Sequence, residues 1–202
     1  MNNKVILLDS GHGGMIDGTY QTFPHKMHSF SKNEILYEGV FNRIIKNKLI
    51  DRMLKLDMRY IDVCPTELDI DLDTRCDVIN EYCNALGKNN CLLISLHSNA
   101  GGGTGIEIWT TRGQTKSDLY AQMLAVQIKN DFPNLKFRKD ESDGDLDKES
   151  NFYILANTKC PAIMPEFMFF DNYDDYKMMI KTGFQDKYVD SLMEFVKRVN
   201  LN

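Results

Sequence analysis

The chain has 202 residues, 43% of them hydrophobic and 26% charged, with a net charge of −5. That length and composition fit one globular domain with ample core. The acidic balance argues against a general nucleic-acid role, which needs a basic patch, and no apolar stretch approaches the ~20 residues of a membrane span.

In chain order, Lys4–Asp9 reads as a first strand, an apolar run closed by Ser10-Gly11-His12-Gly13-Gly14. Only four consecutive apolar residues, Val5 to Leu8, precede Asp9, fewer than the roughly 7–15 of a signal-peptide core. The chain is therefore expected to be made in the cytoplasm without a signal peptide. Lys32–Lys55 reads as a long helix, with Ile35, Leu36, Val40, Phe41, Ile44, Ile45, Leu49 and Met53 at three- and four-residue spacing. Ser31 and Glu34 stand in the S-x-x-E pattern of a capping box at its start. Met58–Val63 is a predicted strand, and Asp73–Leu86 a helix with acidic residues at its start. Cys91–Leu96 is a central strand and Gly105–Thr111 another. Thr115–Phe132 is a helix stopped by Pro133, and Asn134–Lys148 a polar loop. Ala162–Glu166 is a last inner strand, and Asp171–Val199 is largely helical. Alternating strands and helices imply an α/β class: a single domain over residues 1–202, with a mixed, mostly parallel twisted sheet and helices on both faces.

Two histidines, His12 and His97, each follow a short apolar run and sit among small residues, the second in Ser95-Leu96-His97-Ser98-Asn99-Ala100. In an α/β sheet, loops at the carboxyl ends of strands are where ligands bind. Two imidazoles brought there from separate strands can converge on one metal ion. Catalytic zinc takes three protein ligands and keeps a fourth position open. Glu38 and Glu34 compete for the third place. The capping pattern gives Glu34 a structural task and so favours Glu38. Glu166 lies in the apolar stretch Ile163-Met164-Pro165-Glu166-Phe167-Met168. A desolvated carboxylate there suits a general base, and a structural glutamate paired with backbone or arginine fits the same residues equally well.

Other motifs carry less. Gly11–Gly14 lacks dinucleotide-turn spacing, and Gly101–Gly105 lacks the lysine of a P-loop, so the latter reads as a flexible turn beside the site. His25 and His28 read as surface loop residues. The segment Asp140–Asp147 lacks the EF-hand register and reads as a solvated acidic loop. Phe167, Phe169, Phe170 and Tyr173 are expected chiefly in the core, with a substrate groove as the other use. Asn99 is matched equally by a substrate-orienting role and by a local loop hydrogen bond. The five cysteines, odd in number and without C-x-x-C, form no disulfide framework and read as small core residues.

His12 in S-G-H-G-G, Glu38 followed by Asn42, His97 in S-L-H-S-N-A and Glu166 in P-x-x-x-P-E-F together resemble the zinc-dependent N-acetylmuramoyl-L-alanine amidases of the amidase-3 family. The resemblance runs from about Lys4 to the C-terminus, with lesser matches at Asp17-Gly18, Asp73-Thr74-Arg75, Gly105-Ile106-Glu107 and Tyr153-Ile154-Leu155. It implies one Zn²⁺ held by His12, Glu38 and His97, with Glu166 as proton acceptor and donor. The implied reaction is hydrolysis of the amide joining N-acetylmuramic acid to L-alanine in peptidoglycan. The chain departs from the family pattern at Ser10, usually Pro, at Met168, usually Gly, and in the insertion-like segment Thr19–Asn33. An expected lack of a signal peptide, an odd cysteine count and an expected lack of a separate wall-binding domain fit a phage or prophage endolysin, with a bacterial enzyme released on lysis or exported by another route as the alternative. Such an endolysin acts on the wall after release, with a possible dependence on a holin.

Overall fold

The computed structural model describes residues 4–140, 142 and 144–201. The chain order is β1 (Val5–Ser10), β2 (Met15–Ile16), β3 (Thr19–Tyr20), β4 (Met27–Ser31), β5 (Glu34–Tyr37), α1 (Glu38–Lys55), β6 (Tyr60–Asp62), α2 (Leu72–Leu86), β7 (Cys91–Asn99), β8 (Ile106–Thr110), α3 (Lys116–Asp131), β9 (Lys148–Glu149), α4 (Tyr153–Ala156), β10 (Ala162–Phe169), α5 (Tyr173–Met179) and α6 (Thr182–Leu201). The main sheet has the order β6-β1-β7-β10-β8-β9. Strands β6, β1, β7 and β10 are mutually parallel, and β8 runs antiparallel to β10. Among the described residues no helix is long and apolar enough to cross a membrane.

Strands buried on both faces explain the unbroken apolar runs. Ile6 and Leu8 face a core built with α1, α3 and α6, while Val5 and Leu7 face a second core built with α2 and α4. Each such side chain contributes roughly 1.5–3 kcal/mol when fully buried. In the larger core the ring of Phe167 stacks on Tyr188, with centroids 3.4 Å apart and planes 7° from parallel. All five cysteines are buried free thiols.

The expected helix over Lys32–Lys55 begins only at Glu38. Residues Met27–Tyr37 form a hairpin instead, with Met27 opposite Tyr37 and Ser31 opposite Glu34 across a Lys32-Asn33 turn. Two-residue loops of this kind close hairpins. Ser31 Oγ does donate to Glu34 Oε2, at 2.9 Å, but across that turn and not at a helix start. Leu36 stands four residues before Val40, a helical spacing that extends the pattern backwards into the hairpin, which is why periodicity misplaced the boundary.

Three smaller expectations are also corrected. Strand β7 runs on to Asn99, so His97 lies inside a strand near its end and not in a loop. The glycine turn after it is fastened: Gly101 N and Gly102 N donate to Asp171 Oδ2, and Gly105 N and Thr104 Oγ1 donate to Asp175. Within the acidic segment, Asp147 is buried and accepts a 2.6 Å hydrogen bond from Thr110 Oγ1. Residues 141 and 143 of that segment, like residues 1–3 at the start of the chain, lie outside the described set.

Candidate metal centre

The site forms where the carboxyl ends of β1, β7 and β10 meet the amino end of α1. His12 directly follows the β1 extension, and Gly11 N still pairs with Leu96 O at 2.9 Å. A Cβ on Gly11 would fall inside the His97 ring, so only glycine lets the two elements close this tightly. His12 itself has φ 67°, the left-handed region that costs a non-glycine residue energy. Its carbonyl is held by two buried arginines: Arg43 Nη1 donates at 2.7 Å and Arg75 Nη2 at 3.3 Å. Arg75 is itself fixed by Asp9, at 2.8 Å, and by the Ser10 carbonyl. Burial works against its charge, but Asp9 more than compensates and raises its pKa.

Glu38 is the first residue of α1. Tyr37 before it is extended and provides no side-chain cap. The Tyr20 hydroxyl accepts from Gly39 N at 3.0 Å, and Glu38 N donates to Lys26 O at 2.9 Å. The helix start is thus closed by the segment before the hairpin. A carboxylate in a first turn also gains from the helix dipole.

His12 Nε2 lies 3.3 Å from Glu38 Oε2, and His97 Nδ1 lies 3.1 Å from Glu38 Oε1. The rings stand edge to face, with centroids 5.1 Å apart. Burial disfavours the Glu38 charge, but hydrogen bonds and charge from both imidazoles outweigh it and hold the carboxyl down at about 2. Ser98 N donates to Glu38 Oε1 at 3.2 Å, and Asn42, one turn along α1, links Gly11 O to Ser98 Oγ. Ligand atoms of His12, Glu38 and His97 all lie within 4.8 Å of one another, the one such group among the described residues. Two imidazoles and a carboxylate are a zinc donor set that leaves a fourth position open. These residues therefore fit one Zn²⁺ ion.

Glu166 pairs with His97 in the β7–β10 register. Burial pushes its carboxyl up to about 7, opposed by His97 and reinforced by Glu38 and Glu107. Its Oε2 is buried and accepts no hydrogen bond from the described residues. A pocket of about 380 Å³ joins His12, Glu38, His97 and Glu166 to an apolar wall that includes Phe152, Ile154 and Phe170.

Other candidates sit elsewhere. Glu34 faces Ser31 and the Tyr173 hydroxyl, away from the imidazoles. His25 is exposed beside Phe23 and Tyr20, and His28 packs on Phe30 within β4. Asn99 Oδ1 accepts from Ala100 N at 2.8 Å and also lines the pocket. Phe167 and Phe169 are core residues, Phe170 lines the pocket, and Tyr173 is exposed. Met168, at φ 68°, occupies a left-handed position that suits the glycine it replaces in the family pattern. Sequence reading missed Arg43 and Tyr20. Arg43 lies one turn from Gly39 on α1 and donates to its carbonyl at 3.0 Å, the only local hint of its role.

A model of the family described as Amidase_3, N-acetylmuramoyl-L-alanine amidase, matches residues 6–198. The chain belongs to this family. The chain is 26% identical over 203 residues to an endolysin of Bacillus phage SPP1, covering 98% of this chain and 66% of that protein. It therefore spans slightly under two thirds of that relative's length. The crystal structure of an N-acetylmuramoyl-L-alanine amidase from Clostridium difficile 630 superposes with a TM-score of 0.75 at 25% identity, over 98% of this chain and 97% of that one. The catalytic domain of the CD27L endolysin, which targets Clostridia Difficile, shares the fold with a TM-score of 0.66 at 23% identity, over 98% and 99%.

Proposed function

We propose that this chain is an amidase that hydrolyses the bond between N-acetylmuramic acid and L-alanine in peptidoglycan, holding one Zn²⁺ with His12, Glu38 and His97 and using Glu166 as its general base. One observation carries the reading: an unpartnered, desolvated carboxylate stands beside the strand histidine of a three-ligand cluster, in one pocket. Zinc, when bound, supplies a Lewis acid that polarises the scissile carbonyl and makes water easier to deprotonate. Glu166 Oε2 takes a proton from the attacking water and returns it to the leaving L-alanine amine. The Glu38 bonds to Ser98 and Asn42 fix the carboxylate's orientation, as outer partners of a metal ligand do.

Digestion of purified peptidoglycan tests the reaction. Release of stem peptides with a new L-alanine amino terminus, with no cut inside the peptide, is expected. Cuts within the peptide would make the protein a zinc peptidase on the same site.

We further propose that residues 1–202 act as one catalytic unit of a phage or prophage endolysin, made in the cytoplasm and reaching the wall through a holin. The likeness to the phage SPP1 endolysin supports this setting. Abrupt lysis on co-expression with a holin, and none on expression alone, is the expected result. Delivery to the periplasm without a permeabilising partner would overturn it.

A further inference from the structure

Lys26 is the one lysine or arginine lining the pocket. It belongs to the segment Thr19–Asn33, which the family pattern leaves without a role. Its backbone is fixed: Lys26 O accepts from Glu38 N at 2.9 Å and from the Tyr20 hydroxyl at 3.1 Å. The residue is therefore tied to the helix start that carries Glu38. Its side chain is exposed and makes no ion pair with any described residue. Its charge nonetheless reaches Glu166 across the pocket. The opposite wall is apolar, with Leu72, Phe152, Ile154, Met164 and Phe170. A pocket so lined presents a metal-ligand cluster, a base, an apolar wall and one unpaired cation.

We propose that Lys26 determines specificity by pairing with a free carboxylate of the stem peptide. The inference rests on the amidase reading of the same site. The residue after L-alanine in a stem peptide is a glutamate joined through its side-chain carboxyl, so its α-carboxyl is free, or is amidated where the wall is so modified. That group lies one residue from the scissile bond, on the leaving side. A lysine at the pocket rim, held by its own backbone against the ligand-bearing helix, is in place to meet it. Hydrogen bonds to charged partners contribute more than neutral ones, and leaving the ammonium opposite an uncharged amide forfeits that difference. The chain is thus built to prefer the acid form over the amide by roughly ten- to a hundred-fold.

The test uses the zinc-loaded protein on two muramoyl dipeptides that differ only there, L-alanyl-isoglutamate and L-alanyl-isoglutamine. Wild type is expected to favour the acid at least ten-fold in kcat/KM, with the difference carried by KM. Lys26→Met should bring the two substrates within about twofold of each other, Lys26→Glu should reverse the order, and Lys26→Arg should restore it. Binding of the same pair to zinc-loaded Glu166→Gln by calorimetry gives the same ranking without turnover. A wild type indifferent to the substitution, or a Lys26→Met that keeps the preference, overturns the inference. Zinc-loaded wild type that leaves both substrates and whole peptidoglycan uncut overturns the amidase reading itself.

Discussion

His97 Nδ1 lies 3.1 Å from Glu38 Oε1, joining the end of a central strand to the first residue of a helix 59 positions earlier in the chain. The contact depends on both backbones being fixed nearby, by Ser98 N on one side and Tyr20 on the other. Perturbing either partner should therefore register as a change in metal content.

Glu38→Ala and His97→Ala are expected to lose zinc, while Glu34→Ala keeps one equivalent per chain, because the Glu34 side chain bonds Ser31 and Tyr173 and not the imidazoles among the described residues. Elemental analysis of freshly purified protein reads the result. Zinc lost from Glu34→Ala and kept by Glu38→Ala would reverse the assignment. Chelators should abolish activity in wild type.

Glu166→Gln should keep zinc and lose about 10²–10⁴-fold in kcat, the usual contribution of a positioned proton-transfer group. A near-normal rate would place the base elsewhere.

The two carboxyls should also leave separate marks on stability against pH in the metal-free protein. Glu166 is raised from 4.5 to about 7, so the folded state binds the extra proton between those values and stability falls as pH rises through them. Glu38 is lowered to about 2, so its contribution is full above 4.5 and is lost as pH falls toward 2. Melting temperatures of chelator-treated wild type, Glu166→Gln and Glu38→Gln from pH 2 to 8 test both. Glu166→Gln should flatten the upper limb only, and Glu38→Gln the acid limb only.

Gly11→Ala would drive a methyl group into the His97 ring. Overpacking of this kind costs about 1–3 kcal/mol. Zinc affinity should fall along with melting temperature, while circular dichroism keeps the wild-type helix and strand content. Unchanged zinc stoichiometry in this variant would show that the ring has room to move.

Arg75→Met leaves Asp9 buried without its charge partner, a change that costs roughly 3–5 kcal/mol. Asp9→Asn combined with Arg75→Met should recover part of that loss, since no lone charge remains. Denaturant unfolding of the three variants measures the coupling. Additive effects would mean that the pair does not act as a unit.

The sequence by itself determined the main strands of the central sheet and the α/β class, and it nominated the four candidate site residues. Apolar runs such as Val5–Leu8 and Cys91–Ile94 have few uses besides doubly buried strands, and the histidines that follow them stand out among small residues. It did not determine where α1 begins. Local patterns allow both a hairpin and a helix over Ser31–Tyr37, and the choice is made by contacts with Lys26, Tyr20 and Tyr173, all distant in sequence or in a segment without a clear period. Nor did it reveal that Glu166 lacks a partner, or that Arg43 and Arg75 meet on the carbonyl of a left-handed His12. Those facts depend on which side chains the folded sheet brings together. Spacing along the chain nominates candidate ligands, whereas their orientation and protonation, and the charge that Lys26 brings to the pocket, are set across the tertiary structure.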